Sequence, residues 1–255
     1  MLAVWFCFLC GKIYIMTNDY EHKISRKRAL ELANYYLQER IHNGSNIKII
    51  FEHAVHIFNV AKIAENIAKK TNGALDPDTA YVLGLLHDIG RIKDETVTKV
   101  PHGIEGYNYL KDNGYPDVAP ICITHCFINK EFKLSDYPAY DANLLCGVQR
   151  YLRTIKYNDY DRLIQLADLF SRGKEIMSIQ QRLDRNKSFY HIENMSYDKN
   201  AFALRDYMNH KYKINVEKIV AEVFDLSTKG QDKNIEFSPK PKLYSNQMNI
   251  KFNTI

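Results

Sequence analysis

The sequence contains few of the residues that interrupt regular structure, with seven prolines and eleven glycines among 255 residues. Such low counts exclude a chain built mainly of linkers or glycine-rich repeats. The chain also lacks a strong excess of one charge sign, because 35 basic residues face 30 acidic ones and the net charge is +5. A mild excess that is spread along the chain argues against a stable complex with nucleic acid. The remaining composition, 45% hydrophobic and 25% charged residues, is that of an ordinary globular protein with a substantial core.

The cysteines do not form a pattern that predicts disulfides. Five cysteines occur, an odd number at irregular spacing, and Cys7 and Cys10 form a CxxC pair with no second pair nearby to complete a zinc site. We therefore expect a reducing, cytoplasmic setting. The apolar segment 1–15 is too short to span a bilayer, and it lacks the flanking residues of a signal peptide. We expect residues 1–19 to be an extension that does not bind a membrane.

Helical periodicity dominates from Ser25 to Leu226, and strand signals are almost absent. Asp76-Pro77-Asp78 has the residues that begin a helix, and this helix is predicted to run through LGLLHDI and to end at Gly90 as a left-handed cap. The other helices are predicted near 25–41, 51–71, 103–112, from Pro116 to His125, and at 142–155, 159–171, 175–185, 197–212 and 216–226. The sequence therefore predicts an all-α fold.

The same pattern divides the chain into segments. We expect one helical domain over 20–172, with 173–227 adding helices to the same body. The polar segment 228–255 has little periodicity, and we expect a tail there that is flexible or only loosely docked.

Two adjacent residues at the end of the third predicted helix are able to bind a metal ion. His87 and Asp88, in LLHDIGR, leave the helix axis about a hundred degrees apart, so they share one cation only if other segments close around it. His56, among apolar neighbours, and Asp168, a lone carboxylate in LIQLADLF, are candidates for those segments. Taken singly, such a histidine is more often a hydrogen-bonded core residue, and such an aspartate can simply cap a helix. Together the four residues form a set suited to Mn, Fe, Mg, Co or Zn.

The order of these residues and the sequence around them resemble the HD superfamily of metal-dependent phosphohydrolases. HIFNVAKIAENIA, LLHDIGR and LIQLADLFS are similar to the three metal-binding helices of that family, over roughly residues 50–172. The resemblance implies a helical HD-domain bundle. It also implies that His56, His87, Asp88 and Asp168 bind a divalent ion, which activates water for hydrolysis of a phosphate ester.

Two further histidines bear on the number of metal ions. His102, in PHGIEGYNYL, and His125, in APICITHC, resemble the residues that bind a second ion in binuclear members, with Asp88 as the bridge. The motif layout is closest to binuclear members such as symmetrical dinucleoside tetraphosphatases. Cys126 stands where HD-GYP cyclic-dinucleotide phosphodiesterases carry a second histidine, which argues against that subgroup. An exposed His102 and a hydrogen-bonded core His125 remain the alternatives.

Arg91 and Lys93 follow the His-Asp pair and are candidates for binding the phosphate of a substrate. The resemblance places Arg91 where the HDIGK form of the motif carries a lysine that approaches the phosphate. A guanidinium group can bind phosphate through two parallel hydrogen bonds. For Lys93, a solvated loop residue is an equal alternative. Asp88 and Arg91 are the predicted catalytic residues, and no covalent nucleophile is required.

The sequence thus predicts a hydrolase of phosphate esters or anhydrides that acts on a small nucleotide through metal-activated water. One divalent ion is expected at the first four ligands and a second at His102 and His125. The alternatives are a catalytically weak HD domain that senses nucleotides, or an RNA-linked phosphodiesterase. We expect a small phosphorylated substrate as the partner, and a monomer or homodimer.

Overall fold

The computed structural model describes residues 16–17, 20, 24–92, 99–130, 132–134, 137, 140–190, 196–231 and 235–239. Most of segment 1–19 and all of 93–98 and 240–255 therefore lie outside the described residues. The expectations for the N-terminal extension and for the end of the tail fall on these segments. None of the helices in the described ranges is long and apolar enough to cross a membrane.

Helices make up most of the described chain, as the sequence predicts, and the all-α fold is confirmed. In chain order they are α1 (Arg26–His42), α2 (Ile47–Lys69), α3 (Pro77–Leu86), α4 (His102–Asp112), α5 (Pro120–Thr124), α6 (Ala142–Thr154), α7 (Asp159–Leu169), α8 (Ile179–Tyr190), α9 (Ser196–Tyr212) and α10 (Val216–Val223). Two short 3-10 helices, Ile89–Ile92 and Ile128–Lys130, follow α3 and α5.

Strands within the described residues are short and form three separate two-stranded pairs. They are β1 (Met16–Thr17), β2 (Ile155–Lys156), β3 (Ser171–Arg172), β4 (Glu175–Ile176), β5 (Leu226–Lys229) and β6 (Glu236–Pro239). The β1–β2 pair is parallel, whereas β3–β4 and β5–β6 are antiparallel hairpins. These pairs connect and cover the helices and do not form a layer of their own.

Several helices in this chain, α3 and α7 among them, begin at polar residues whose side chains accept backbone hydrogen bonds. Asp76 accepts from the amide of Thr79 ahead of α3, and Pro77 occupies the first turn of that helix. Asn158 and Asp161 form a reciprocal capping box at the start of α7. These caps fix where α3 and α7 begin and therefore which residues their last turns present.

The centre of the fold is the packing of α2 against α3. Both helices contribute fully buried apolar residues, and Gly84 on α3 permits a close approach. A Cβ atom at Gly84 would lie 2.7 Å from the Cα atom of Ala61 on α2, well inside van der Waals contact. This short separation between the axes brings His56 on α2 close to His87 at the end of α3.

The prediction that α3 ends at Gly90 in a left-handed conformation was wrong. The α-helix ends at Leu86, and Gly90 lies in the following 3-10 helix without a positive φ. The reason for glycine here is space, because a Cβ atom at Gly90 would lie 1.8 Å from the carbonyl oxygen of His102 and 2.3 Å from the amide nitrogen of Gly106. Gly90 thus lets the first turns of α4 lie directly on the segment that follows His87 and Asp88.

The polar segment from residue 228 onward, for which we expected a flexible or loosely docked tail, contains a short hairpin that the sequence did not predict. Its described part pairs as the β5–β6 hairpin, in which Phe237 is buried and stacks on Phe170 at a centroid distance of 6.1 Å. Gln181 on α8 accepts a hydrogen bond from the amide of Phe237 and donates one to its carbonyl oxygen. Strands of four residues are too short to show periodicity in the sequence, and for this reason the hairpin was missed.

Candidate metal centre

Four side chains from three helical segments converge at the first candidate metal site. His56 Nε2 lies 3.1 Å from Asp168 Oδ1, 3.3 Å from His87 Nε2 and 3.6 Å from Asp88 Oδ2. His87 Nε2 lies 3.8 Å from Asp88 Oδ2 and 3.9 Å from Asp168 Oδ1. His56 comes from the middle of α2, His87 and Asp88 from the end of α3, and Asp168 from the last turn of α7. The structure therefore brings together the four residues that the sequence singled out first.

A second group of donors lies on the other side of Asp88. His102 Nε2 is 3.2 Å and His125 Nε2 is 3.3 Å from Asp88 Oδ1, and the two nitrogens are 3.3 Å apart. Cys126 Sγ lies 3.4 Å from His102 Nε2 and 3.3 Å from His125 Nε2. His102 is the first residue of α4, and His125 caps the C-terminus of α5.

Asp88 faces the two groups with different oxygens. Oδ2 faces His56 and His87 and accepts a hydrogen bond from Arg91 Nε at 2.8 Å, whereas Oδ1 faces His102 and His125. Asp88 is only 4% exposed, and its Oδ1 is buried without a well-aligned hydrogen-bond donor. A buried carboxylate oxygen in that state is costly unless a cation neutralises it. The donor set and this oxygen therefore fit a divalent metal.

The imidazole rings are oriented so that their Nε2 atoms point into the centre. His87 Nδ1 lies 2.6 Å from the carbonyl oxygen of Gly84, and His125 Nδ1 lies 2.9 Å from that of Ile121. Because a carbonyl oxygen only accepts, both Nδ1 atoms must carry a proton, and the Nε2 atoms are the ring nitrogens that face inward. His56 Nδ1 is 3.1 Å from Ser171 Oγ. Fixing one ring nitrogen by a hydrogen bond is the usual way of aiming the other at a metal.

Burial and neighbouring charges shift the protonation of this centre. Burial lowers the pKa of His87 to about 3, so its imidazole is neutral at physiological pH. Burial alone would raise the pKa of the Asp88 carboxyl, but Arg91 and the nearby histidines hold it well below its usual range. Burial would likewise raise the pKa of the Asp168 carboxyl, but a hydrogen bond from His56 and the charge of Arg182 lower it below its usual range. Both carboxylates are therefore ionised and both can bind a cation.

The Cys126 thiol responds to the two histidines beside it. Burial would raise its pKa, but His125 and His102 lower the pKa to about 6. The same contacts raise the pKa of His125 to about 10, although burial by itself would lower it. In the metal-free protein, a thiolate next to imidazolium is thus the favoured state of this pair.

The two residues predicted to bind phosphate have different outcomes. Arg91 lies in the 3-10 helix after α3, with a side chain 32% exposed, and its guanidinium group contacts both Asp88 and His102. It therefore reaches from the candidate metal centre toward solvent. Lys93 lies outside the described residues, and its role stays a prediction.

Sequence reasoning left three side chains out of the site. Cys126 was noted only as a departure from a motif, although it contacts both His102 and His125. Ser171 bonds His56, and its position three residues after Asp168 in LADLFS was the available signal. Arg182 on α8 lies 3.8 Å from Asp168 Oδ2 and donates to the carbonyl oxygen of Ser171. No sequence pattern pointed to Arg182, because its contact depends on how α8 returns to the centre.

Comparison with known proteins assigns a family to this part of the chain. A model of the HD domain family matches residues 54–173, a range that contains both groups of candidate metal ligands and Arg91. No curated protein and no solved structure gave a significant match to the chain. The closer likeness to dinucleoside tetraphosphatases therefore stays a prediction. Residues 54–173 of the chain are therefore an HD domain, the domain that characterises a superfamily of metal-dependent phosphohydrolases.

Proposed function

We propose that this chain hydrolyses a phosphate ester or anhydride of a small nucleotide, using water activated at a centre of two divalent ions. The observation that carries the proposal is the position of Asp88 between two groups of donors, with one oxygen facing each group. A carboxylate can bind two metals through its two oxygens, whereas a neutral imidazole has one lone pair to offer. His56, His87 and Asp168 would hold the first ion with Asp88, and His102 and His125 the second.

The role of the protein in this reaction follows from the charges it fixes. A bound divalent ion lowers the pKa of its water from about 15.7 toward neutrality and offsets charge on phosphate oxygens. Arg91, Arg182 and the neighbouring histidines lower the pKa of Asp88 and Asp168, so both carboxylates are ionised at neutral pH and would be able to hold a divalent ion. His87 offers its Nε2 lone pair because its pKa is about 3. Arg91, whose side chain is partly exposed, would bind the phosphate and stabilise the charge that develops on it.

A cluster of aromatic rings supports a substrate that carries a base. Phe127 follows His125 and Cys126 directly, stacks on Phe132 at 4.4 Å and meets Tyr137 edge to face at 5.9 Å. Phe127 itself is buried, but Phe132 and Tyr137 are only partly buried, and partly exposed rings of this kind can stack on a nucleobase. The competing function is a nucleotide sensor without hydrolysis. It is less well supported, because the complete donor set is suited to holding a reactive ion.

Replacing Asp88 by alanine tests the proposal. The D88A variant should lose hydrolysis of any nucleotide that the wild-type protein cleaves in a phosphatase panel, by at least about a thousandfold, because the nucleophilic water loses its activating metal. Its metal content should fall as well, measured by elemental analysis, while circular dichroism shows the helices retained. D112A, at an exposed carboxylate on α4, is the matched control and should behave as wild type. Full activity in D88A would show that the centre is not the site of hydrolysis.

A further inference from the structure

Cys126 lies beside two histidine side chains, unlike a cysteine that only fills space in an apolar core. Its sulfur lies 3.4 Å and 3.3 Å from the Nε2 atoms of His102 and His125, which are themselves 3.3 Å apart. The three donor atoms thus form a nearly equilateral triangle. The other two cysteines in the described residues differ: Cys122 points its sulfur at the carbonyl oxygen of Leu86, and Cys146 is on α6.

The dimensions of this triangle match those of a metal site with mixed ligands. With metal–nitrogen bonds of about 2.0–2.1 Å and a metal–sulfur bond of about 2.3 Å, tetrahedral ligands lie roughly 3.3 Å apart (N to N) and roughly 3.6 Å apart (N to S). The observed separations of 3.3, 3.3 and 3.4 Å are within a few tenths of an ångström of these values. The three side chains therefore need little rearrangement to share one ion.

A separate observation at the same place points to a cation. The buried Oδ1 atom of Asp88 has no well-aligned donor, yet it lies 3.2 Å and 3.3 Å from the same two histidine nitrogens. Two nitrogens and one sulfur thus lie together beside a buried carboxylate oxygen that has no well-aligned donor. A cation bound by the nitrogens would satisfy it.

We propose that Cys126 is a protein ligand of the second metal ion, together with His102 and His125, and that its sulfur makes this half of the centre selective for thiophilic ions. This inference rests on the proposed two-ion centre and adds to it the identity of a ligand and the class of metal. Thiolate sulfur favours Zn, Fe(II) or Co(II) and is a poor ligand for Mg, which requires oxygen. The first group, with two nitrogens and two carboxylates, has no such preference against Mn or Mg. The two halves of the centre therefore differ in metal preference.

Cobalt titration of the metal-free, full-length protein tests this inference without measuring activity. Thiolate-to-Co(II) charge transfer gives a near-ultraviolet absorption band that nitrogen and oxygen ligands do not give. The wild-type protein should bind about two Co(II) ions, and the band should appear as the sulfur-containing site fills. C126S should lose the band and bind about one ion, whereas C126H should bind about two ions without the band, because imidazole also binds Co(II). C146S, at a cysteine on α6 that belongs to neither group of donors, is the control and should keep the band.

The possible results separate this inference from the proposed function. Two bound ions with no band in the wild type, or a band that survives in C126S, would overturn the role of Cys126 and leave a two-ion centre standing. Binding of about one ion by the wild type would overturn both the two-ion centre and this inference. A band that depends on Cys126 in a protein that hydrolyses no nucleotide would support the ligand and contradict only the proposed reaction. Absence of the band from the wild-type spectrum overturns the inference even if a variant fails to fold, and C126H is a second variant that assigns the band to Cys126 if C126S does not fold.

Discussion

At the scale of single residues, Asp88 determines how the centre is organised. Its two oxygens face different groups of donors, and Arg91 Nε donates a hydrogen bond to Oδ2. The negative charge of this buried carboxylate is unfavourable without a partner, and a cation bound at each oxygen would neutralise it. The Asp88 side chain thus couples the two halves. Among the described residues, the group of His102, His125 and Cys126 has no carboxylate of its own, so Asp88 would serve both groups.

The number of ions depends on His102 and His125. We expect H102A and H125A each to lower the ratio of metal to protein from about two to about one, because each variant removes one of the few ligands of the second ion. The ratio is measured by elemental analysis after extensive dialysis. H210A removes an exposed histidine on α9 and should keep the wild-type ratio. A wild-type ratio in both variants, or a ratio of about one in the wild type, would leave His56, His87, Asp88 and Asp168 as the whole site.

At the scale of elements, the centre is built mainly from helix ends. His87 and His125 cap the C-termini of α3 and α5, His102 begins α4, and Asp168 lies in the last turn of α7. Side chains at helix ends can converge because the neighbouring backbone is free to turn, whereas His56 must reach in from the middle of α2. Small displacements of one helix end therefore change the centre directly.

The close contact of Gly90 with α4 provides a test of this dependence. G90A would place a Cβ atom 1.8 Å from the carbonyl oxygen of His102, so the start of α4 must move away. We expect the free energy of unfolding to fall by at least about 3 kcal/mol, the upper end of the usual cost of overpacking a core. We also expect the second metal ion to be lost. Urea unfolding and elemental analysis measure the two effects.

G44A is a control that separates backbone strain from overpacking. Gly44 has a positive φ of 74°, and a Cβ atom added there would have no neighbour within 4 Å, so alanine costs about 1–2 kcal/mol through strain alone. It should leave the metal content unchanged. Retention of both ions and of wild-type stability in G90A would mean that α4 can shift without disturbing His102.

The sequence was most informative at positions where a residue has few possible structural roles. His56, His87, Asp88 and Asp168 stood out because a polar group on an apolar helix face is costly without a partner. The end of α3 was misplaced, because glycine serves both as a left-handed cap and as a residue that allows close approach, and only the position of α4 distinguishes the two at Gly90. Arg182 left no signal at all, since its contact with Asp168 depends on long-range packing.

At the scale of the whole molecule, the hydrophobic core continues beyond residue 173. One continuous core includes buried residues from Tyr20 to Phe237 and so extends beyond both ends of the family match. The hairpin β5–β6 stacks Phe237 on Phe170, two residues after Asp168, and Gln181 binds both backbone groups of Phe237. The hairpin therefore supports the segment that carries Asp168 and Ser171.

This shared core predicts that damage to the hairpin lowers the stability of all the helices together. F237A removes a ring that is 6% exposed, and large-to-small changes of this kind cost about 3–5 kcal/mol in a well-packed core. We expect about 3 kcal/mol at this peripheral position, seen as a lower midpoint of a single urea transition followed by circular dichroism at a helical wavelength. F51A, at a phenylalanine 39% exposed on α2, controls for the loss of an aromatic ring and should change the midpoint little.

If the hairpin were an independent appendage, F237A would leave the midpoint of the helical transition at its wild-type value, because the helices would then unfold independently of Phe237. A lower midpoint in F237A but not in F51A would instead show that the helices of the HD domain and the chain beyond residue 173 unfold as one unit.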